Sequence, residues 1–505
     1  MPFVGVDGRV GQCKLIADGS NLWAYGVDEG VPPAALGPYP VVLQSTDGGN
    51  TWARQDDGNA YQGGGGVPSG RPLSYVCPYY DAATRTIWFG FFYATVGVAD
   101  SYPFGFQTFS LDSPTYSALF GATSFNQMTS MVNGIRPIDV GAGWFANRLF
   151  VRSDGLVLVL ASVGGLVFDT MGGANGQLYL WTYDPTADSW SGPTIVSDNC
   201  PILDLTPSPG GNSSLTVHVR CISGVVSGNT LGFFYVCLEW VGTDLDVSTT
   251  MPYQTIYYRA YDGSLYSPIT VMSRIQVDTA PIRLDTYPPQ YLGTYYPPDA
   301  VGGGISTASP FDWYPAPGYP RYAKSWQHAC FVWNAFGQYC STFRSLQHVY
   351  MLSGEIRSAI MYLDAGIGAT SPSPCMLTGA GGLTAPTFSV EVVDLNPSGL
   401  GNECAADLVG AVEVIAFTSD AGGGVFPSQP DSVMVSKNSG AGWSTPVELS
   451  VAEVAVVVDV FPTLIDGWLS ACFTRRADQG TFFVPGADYG NCWDGETQMM
   501  ANVLG

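Results

Sequence analysis

Lysine is almost missing from this chain. It occurs only at Lys14, Lys324 and Lys437, and Lys plus Arg total 19 against 42 Asp plus Glu. The resulting net charge of −23 repels phosphate backbones and anionic lipid, which excludes nucleic acid and anionic membranes as partners. Charged residues are nevertheless scarce at 12%, too few for a salt-adapted surface. No apolar run is long enough to cross a bilayer as a helix, so membrane insertion is not expected. The eleven cysteines contain no Cys-x-x-Cys pair, which removes zinc-ribbon and thioredoxin-type sites. The three histidines, His218, His328 and His348, have no metal-ligand spacing. There is no Gly-x-Ser-x-Gly elbow and no phosphate-binding loop. No metal and no cofactor is expected. The opening residues, Met1-Pro2-Phe3-Val4-Gly5-Val6-Asp7, carry neither a basic nor an apolar leader region, so no secretory signal is read in this chain.

Against these absences stand many short segments rich in Tyr, Val and Phe, separated by Gly, Pro, Asp and Ser. Helical periodicity is missing, and period-2 runs bounded by turn residues predict an all-β chain. Hydrophobic residues at 46% suffice for a large core. Cys221 and Cys237, and Cys330 and Cys340, are spaced so that each pair could bridge neighbouring strands. An odd total leaves at least one thiol outside any internal pairing, and many of the cysteines read equally well as small buried hydrophobes.

The most informative stretch is Ser45-Thr46-Asp47-Gly48-Gly49-Asn50-Thr51-Trp52, which follows the apolar Val41-Val42-Leu43. Ser45 and Asp47 can accept hydrogen bonds from the turn's own amides. Gly48 and Gly49 tolerate a left-handed backbone. Thr51 and Trp52 suit a returning strand that buries its indole. A second copy, Ser436-Lys437-Asn438-Ser439-Gly440-Ala441-Gly442-Trp443, follows Val433-Met434-Val435 and replaces the aspartate by Asn438 and the threonine by Gly442. Residues 178–190, ending in Trp190, read as another such outer hairpin, and 488–493 as a faint echo. The Ser-x-Asp-x-Gly-x-Thr-Trp pattern resembles the Asp-box of the sialidase-like superfamily. The resemblance implies a β-propeller, with Ser45, Asp47, Gly49, Thr51, Trp52, Ser436, Asn438, Gly440 and Trp443 as structural braces of peripheral turns.

Units of this kind fall near residues 14–54, 74–93, 136–190, 214–264, 328–363, 388–446 and 454–493. The expected fold is therefore one all-β propeller over residues 1–505, with about seven four-stranded blades in a range of six to eight. The first strand, near Phe3 to Val6, is expected to complete the last blade. A long insertion at 278–324 interrupts the rhythm. It is dense in Tyr and Pro, and its prolines exclude a central strand. Long connections inside compact domains are usually functional, and Tyr and Trp give stiff amphipathic contact area. Tyr287, Tyr291, Tyr295, Tyr296, Trp313, Tyr314 and Tyr319 are the candidate binding residues. A self-packed cap over the ring is the competing reading.

The sialidase resemblance also implies an arginine trio, a tyrosine–glutamate nucleophile and an acid/base aspartate. Arg9, Arg54 and Arg71 stand in no matching motif, and Gly134-Ile135-Arg136-Pro137 has its letters in another order. A general glycosidase needs two facing carboxylates, and the strand acids are Glu239, Glu355, Glu391, Asp394 and Glu413. None carries a specific signal, so no catalytic residue is assigned. The function expected is a non-enzymatic structural or adhesion propeller. Its setting would be a virion (phage or archaeal virus) tail, spike or decoration component, or another extracellular assembly. Its partners would be other structural proteins, further copies of itself, or a surface glycan. The alternatives are a secreted sialidase-like glycoside hydrolase and a cell-surface lectin or scaffold.

Overall fold

The computed structural model describes residues 10–18, 21–28, 39–55, 77–92, 104–118, 120, 144–163, 178–200, 218–241, 251–276, 332–333, 339–340, 346, 348–362, 373–394, 404–409, 412–419, 432–448, 457–465, 468–475, 481–484, 486–487, 492–493 and 497–500. They form seven four-stranded antiparallel sheets, spanning 10–54, 77–116, 144–195, 218–276, 349–392, 404–448 and 457–500. Each sheet is a meander in which every strand pairs with the next in sequence, the seventh taking Thr497–Met500 as its outer strand. The sheets pack side by side in chain order. The innermost strand of the seventh, Val457–Ile465, lies against both Cys404–Val409 of the sixth and Val10–Asp18 of the first. The ring is thereby closed, and the molecule is a β-propeller.

Phe3 to Val6 lie outside the described residues, but the seventh blade already has four strands of its own, from Val457–Ile465 to Thr497–Met500. Packing of the innermost strands of the first and last blades against each other closes the ring among the described residues. Two unit boundaries move. Val332–Trp333 and Tyr339–Cys340 make a separate two-stranded sheet, and the fifth blade begins at Val349. Thr387–Val392 does not open the sixth blade but is the outer strand of the fifth. Gly381 and Gly382, at φ of 103° and 84°, turn the chain back so tightly that this strand pairs with Ser373–Ala380.

The core lies between blades, because each sheet is buried on both faces by its neighbours. Trp23, Tyr25 and Val42 of the first blade pack on Ile87, Phe89 and Phe109 of the second. Phe106 of the second joins Leu149, Val159 and Trp181 of the third. Phe150 and Leu160 of the third meet Phe233 and Tyr235 of the fourth. Ala359 and Met376 of the fifth meet Ile415 and Phe417 of the sixth. Cys200, Cys375 and Cys404 are buried as small hydrophobes. Register separates the proposed Cys221–Cys237 pair: Cys221 stands opposite Tyr235, and Cys237 opposite Val219. Cys330 lies outside the described residues.

Meander topology sorts the connections onto two rims. First-to-second and third-to-fourth turns leave one rim. At five of the seven blades the first-to-second turn is only two residues: 19–20, 228–229, 353–354, 410–411 and 466–467. The passages from one blade to the next start and end at the opposite rim. They include 55–76, 117–143, 196–217 and 277–348.

Candidate functional site

Among the described residues, the turns of the short-turn rim at 45–52, 184–190 and 436–443 are held by their own side chains. At 45–52 the chain passes from the third strand of the first blade, Tyr39–Ser45, to the outer strand, Ala53–Arg54. The Ser45 hydroxyl donates to Asp47 Oδ1 at 2.8 Å and accepts the Gly49 amide at 2.8 Å. Asp47 in turn accepts the Thr51 amide at 2.8 Å and the Thr51 hydroxyl at 2.6 Å. The Trp52 indole N–H donates to the Gly49 carbonyl at 3.0 Å. Gly48 and Gly49 have φ of 72° and 95°, as the turn requires. Bonding to the Thr51 hydroxyl first, and to the Thr51 amide next, holds the Asp47 carboxyl below the usual carboxylate range.

At 436–443 the same position of the sixth blade is turned with different chemistry. Asn438 Oδ1 accepts the amides of Gly440 at 2.8 Å and Gly442 at 3.2 Å. Ser436 donates instead to the Ser444 carbonyl at 2.6 Å. Trp443 packs on the seam between the fifth and sixth blades. In the third blade Asp184 caps its turn through the amides of Thr186 and Ala187, and Trp190 returns to lie on Tyr183 and on Phe106 of the second blade. Cys492–Trp493, the faint echo, pairs with Gly486–Ala487 in the third-to-outer connection of the seventh blade.

The candidate acids are placed as follows. Glu413 lies near the short-turn rim, buried between the fifth and sixth blades. Its Oε1 accepts from Arg357 Nε at 2.7 Å and from the Tyr350 hydroxyl at 3.0 Å, and its Oε2 accepts a second guanidinium nitrogen. The remaining terminal nitrogen of Arg357 donates to the Thr378 hydroxyl. Tyr350, Arg357 and Thr378 are direct cross-strand neighbours, so one row of the fifth blade presents all three to Glu413. Burial first, and the Glu413 carboxylate second, push the Tyr350 phenol well above its ordinary value. A phenol so held keeps its proton, and a carboxylate spanned by a guanidinium is not poised to remove it. This tyrosine–glutamate–arginine group is a fastening, not an activated nucleophile.

Glu355 starts the strand after the 353–354 turn, and Glu391 is exposed on the outer strand of the fifth blade. Asp394 follows that strand, with its amide donating to the Pro374 carbonyl at 3.4 Å. Glu239 lies opposite Tyr253 in the fourth blade. Among the described residues no group of three His, Cys, Asp or Glu could hold a metal ion. The backbone carbonyl of His348 accepts the Ser358 hydroxyl at 2.7 Å; His218 opens the innermost strand of the fourth blade, and His328 lies outside the described residues. Arg54 ends the outer strand of the first blade, while Arg9, Arg71 and Arg136 lie outside the description.

Other charged fastenings were not singled out from the sequence. Arg85 in a turn of the second blade grips both carboxylate oxygens of Asp18 in the first, at 3.0 and 2.7 Å, and Asp112 in its own blade at 2.7 Å. Buried Arg259 of the fourth blade reaches the Val196 carbonyl at 2.8 Å and Asp198 at 2.6 Å, both just beyond the third blade's outer strand. Ser153 of the third blade donates to Asn229 Oδ1 of the fourth at 2.6 Å. One signal for the Tyr350–Arg357 row was present in the sequence. Leu352-Ser353-Gly354-Glu355 is a two-residue hairpin, which fixes the register.

The seven aromatics proposed for binding, Tyr287, Tyr291, Tyr295, Tyr296, Trp313, Tyr314 and Tyr319, lie outside the described residues. The blade strands on either side of their segment end at Gln276 and restart at Val349, both on the long-loop rim.

No protein-family model matches the chain, and no curated protein matches it. Among solved structures it is similar to the β-propeller domain of the Trilobed protease from Pyrococcus furiosus, at 7% identity over 98% of this chain and 99% of that one, with a TM-score of 0.41. It is similar to a PL25 polysaccharide lyase, an ulvan lyase, at 10% identity over 98% of this chain and 97% of that one, with a TM-score of 0.46. A mutant Trypanosoma rangeli sialidase with trans-sialidase activity aligns at 8% identity over 96% of this chain and 56% of that one, with a TM-score of 0.38. Likeness at this level carries nothing about activity.

Proposed function

We propose that this chain is a non-enzymatic structural or adhesion propeller, its outer turns braced as Asp-boxes of the sialidase-like kind. Its setting is a virion (phage or archaeal virus) tail, spike or decoration, and its partners are neighbouring structural proteins, further copies of itself or a surface glycan. The observation that carries this reading is the division between the two rims. On the short-turn rim, Asp47, Asp184, Arg85, Arg357 and Glu413 are engaged in holding turns and blades together. The connections long enough to carry recognition start and end at the other rim, including 277–348 with its Tyr- and Pro-rich stretch. A net charge of −23 keeps copies apart outside their contacts and disfavours nucleic acid.

Density-gradient fractionation of the native source, with mass spectrometry of each fraction, tests the setting. Co-sedimentation with large particles is the expected result; recovery solely as a small soluble species overturns it. Removal of 278–324 is expected to abolish partner binding while the ring stays folded. The competing hydrolase reading predicts turnover of fluorogenic glycosides that a single Glu or Tyr substitution at the ring's centre abolishes.

A further inference from the structure

We propose that Glu413 makes the junction of the fifth and sixth blades an acid-sensitive seam, which parts on protonation while the junction of the third and fourth blades stays shut. The two junctions are fastened by different chemistry. At the first, a carboxylate and a guanidinium, both largely buried, face each other across the blades, and both oxygens of Glu413 are bound by Arg357. At the second, Ser153 bonds Asn229, the Ser153 amide bonds the Gly228 carbonyl at 3.2 Å, and Tyr235 bonds Asn199 at 2.6 Å. Arg259 also crosses that seam, but it keeps the neutral Val196 carbonyl whatever the state of exposed Asp198.

A proton on Glu413 cancels its charge and leaves the guanidinium of Arg357 buried with only Thr378 and a neutral acid beside it. A buried cation without its counter-ion is strongly disfavoured. The other ionisable groups acting on this cluster do not replace the lost charge effectively. Tyr350 stays protonated over the whole acid range, so it has no charge to offer. Glu355 acts on Arg357 from the same strand, and Asp407 on Tyr350 from the neighbouring strand, but the hydrogen bonds of the guanidinium go to Glu413 and Thr378 and to neither of these acids. Lys437, paired with Val414 next to Glu413, falls on the other face of the sixth blade by strand alternation. The sign follows: the seam's contribution is present while Glu413 is ionised and is lost as pH falls and the acid takes its proton. One coupled proton makes the open population grow by about tenfold per pH unit at most.

The chain carries its own reporters. Cys404, 0% exposed, is buried in the fifth–sixth seam, and Cys200, 4% exposed, in the third–fourth seam. The full-length protein is treated with a pyridyl disulfide, which reacts with thiols in acid, from about pH 7 to about pH 3, a range that spans carboxylate titration. Peptide mass spectrometry then reads each thiol separately. The expected result is labelling of Cys404 that rises steeply on acidification while Cys200 stays protected. Glu413→Gln is expected to label Cys404 quickly already at neutral pH, with little further change in acid. Tyr350→Phe, which keeps the ion pair, is expected to retain the pH dependence. Simultaneous exposure of Cys404 and Cys200 in the wild-type protein, or a flat Cys404 profile, overturns the proposal even if Glu413→Gln does not fold.

Discussion

Trp190 of the third blade lies almost parallel to Phe106 of the second, with planes 18° apart and centroids 5.4 Å apart. It also meets Tyr183 at 4.9 Å, Tyr183 in turn touches Phe106 at 5.1 Å, and Tyr183 is itself held by its hydroxyl bond to Asp188 at 2.7 Å. A turn on the periphery of one blade therefore reaches into the seam with the blade before it. Trp443 does the same three junctions further round, packing among residues of the fifth and sixth blades. Turn chemistry and ring cohesion are coupled through these indoles.

Removing that indole should loosen the second–third seam. Trp190→Ala is expected to cost about 2–4 kcal/mol, below the upper range for aromatic truncation because the ring is only part-buried. Trp190→Phe should recover more than half of the loss. Guanidinium unfolding checks this, with the midpoint moving and the slope unchanged. A loss under about 1 kcal/mol would mean the seam re-packs without the indole.

The Asp47 turn predicts a titration. With its carboxyl held down by the Thr51 hydroxyl and amide, Asp47 should titrate below the ordinary aspartate range in a carbon-detected NMR experiment. Thr51→Val should move it part of the way back, because the amide bond remains. For a depressed carboxyl the stabilising contribution is present above the ordinary value and lost as pH falls through the folded one. The group is exposed, so solvent screening keeps that contribution small. An unshifted titration in the native protein would contradict the bonded geometry.

The Arg357–Glu413 pair should behave asymmetrically. Taking away either partner alone, as in Glu413→Leu or Arg357→Met, is expected to destabilise the ring by about 3–5 kcal/mol, since each leaves a buried charge behind. Taking both away together should cost much less than the sum of the two. Thermal unfolding of the four proteins in parallel gives the coupling, and strict additivity would show that the two groups act independently.

Much of the fold was legible because it is local. Ser45 to Trp52 and Asp184 to Trp190 state their turns in consecutive residues, and alternation in Thr387–Val392 places every second side chain outward. What was not legible is the relation between blades. Val390 to Val393 reads as a strand in either unit, and only pairing with Cys375 to Leu377 and the turn at Gly381 and Gly382 assigns it to the fifth blade. Glu413 and Arg357 are 56 residues apart, and no periodicity within a blade says which faces of two blades will meet. How the ring closes is equally non-local. A seventh blade complete in itself and one lacking a strand differ only in the pairing of Thr497–Met500.

The last prediction concerns a position where backbone and ring nearly touch. Tyr258 of the fourth blade donates its hydroxyl to the Leu383 carbonyl of the fifth at 2.7 Å, and the same hydroxyl sits over Gly232. A Cβ at Gly232 would fall 2.1 Å from the Tyr258 oxygen and 2.9 Å from its Cζ. Gly232→Ala must therefore displace the ring and break the bond between blades, at an expected cost of about 2–3 kcal/mol. Tyr258→Phe loses only the bond, about 1 kcal/mol. In the Tyr258→Phe background the nearest obstacle is gone and no bond is left to break. Gly232→Ala should then cost less than in the wild type, by roughly 1 kcal/mol of coupling. Denaturant unfolding of the double-mutant cycle measures that difference. Zero coupling would mean that the ring yields to the methyl group without surrendering Leu383, its place beside Phe234 and Phe388 being kept.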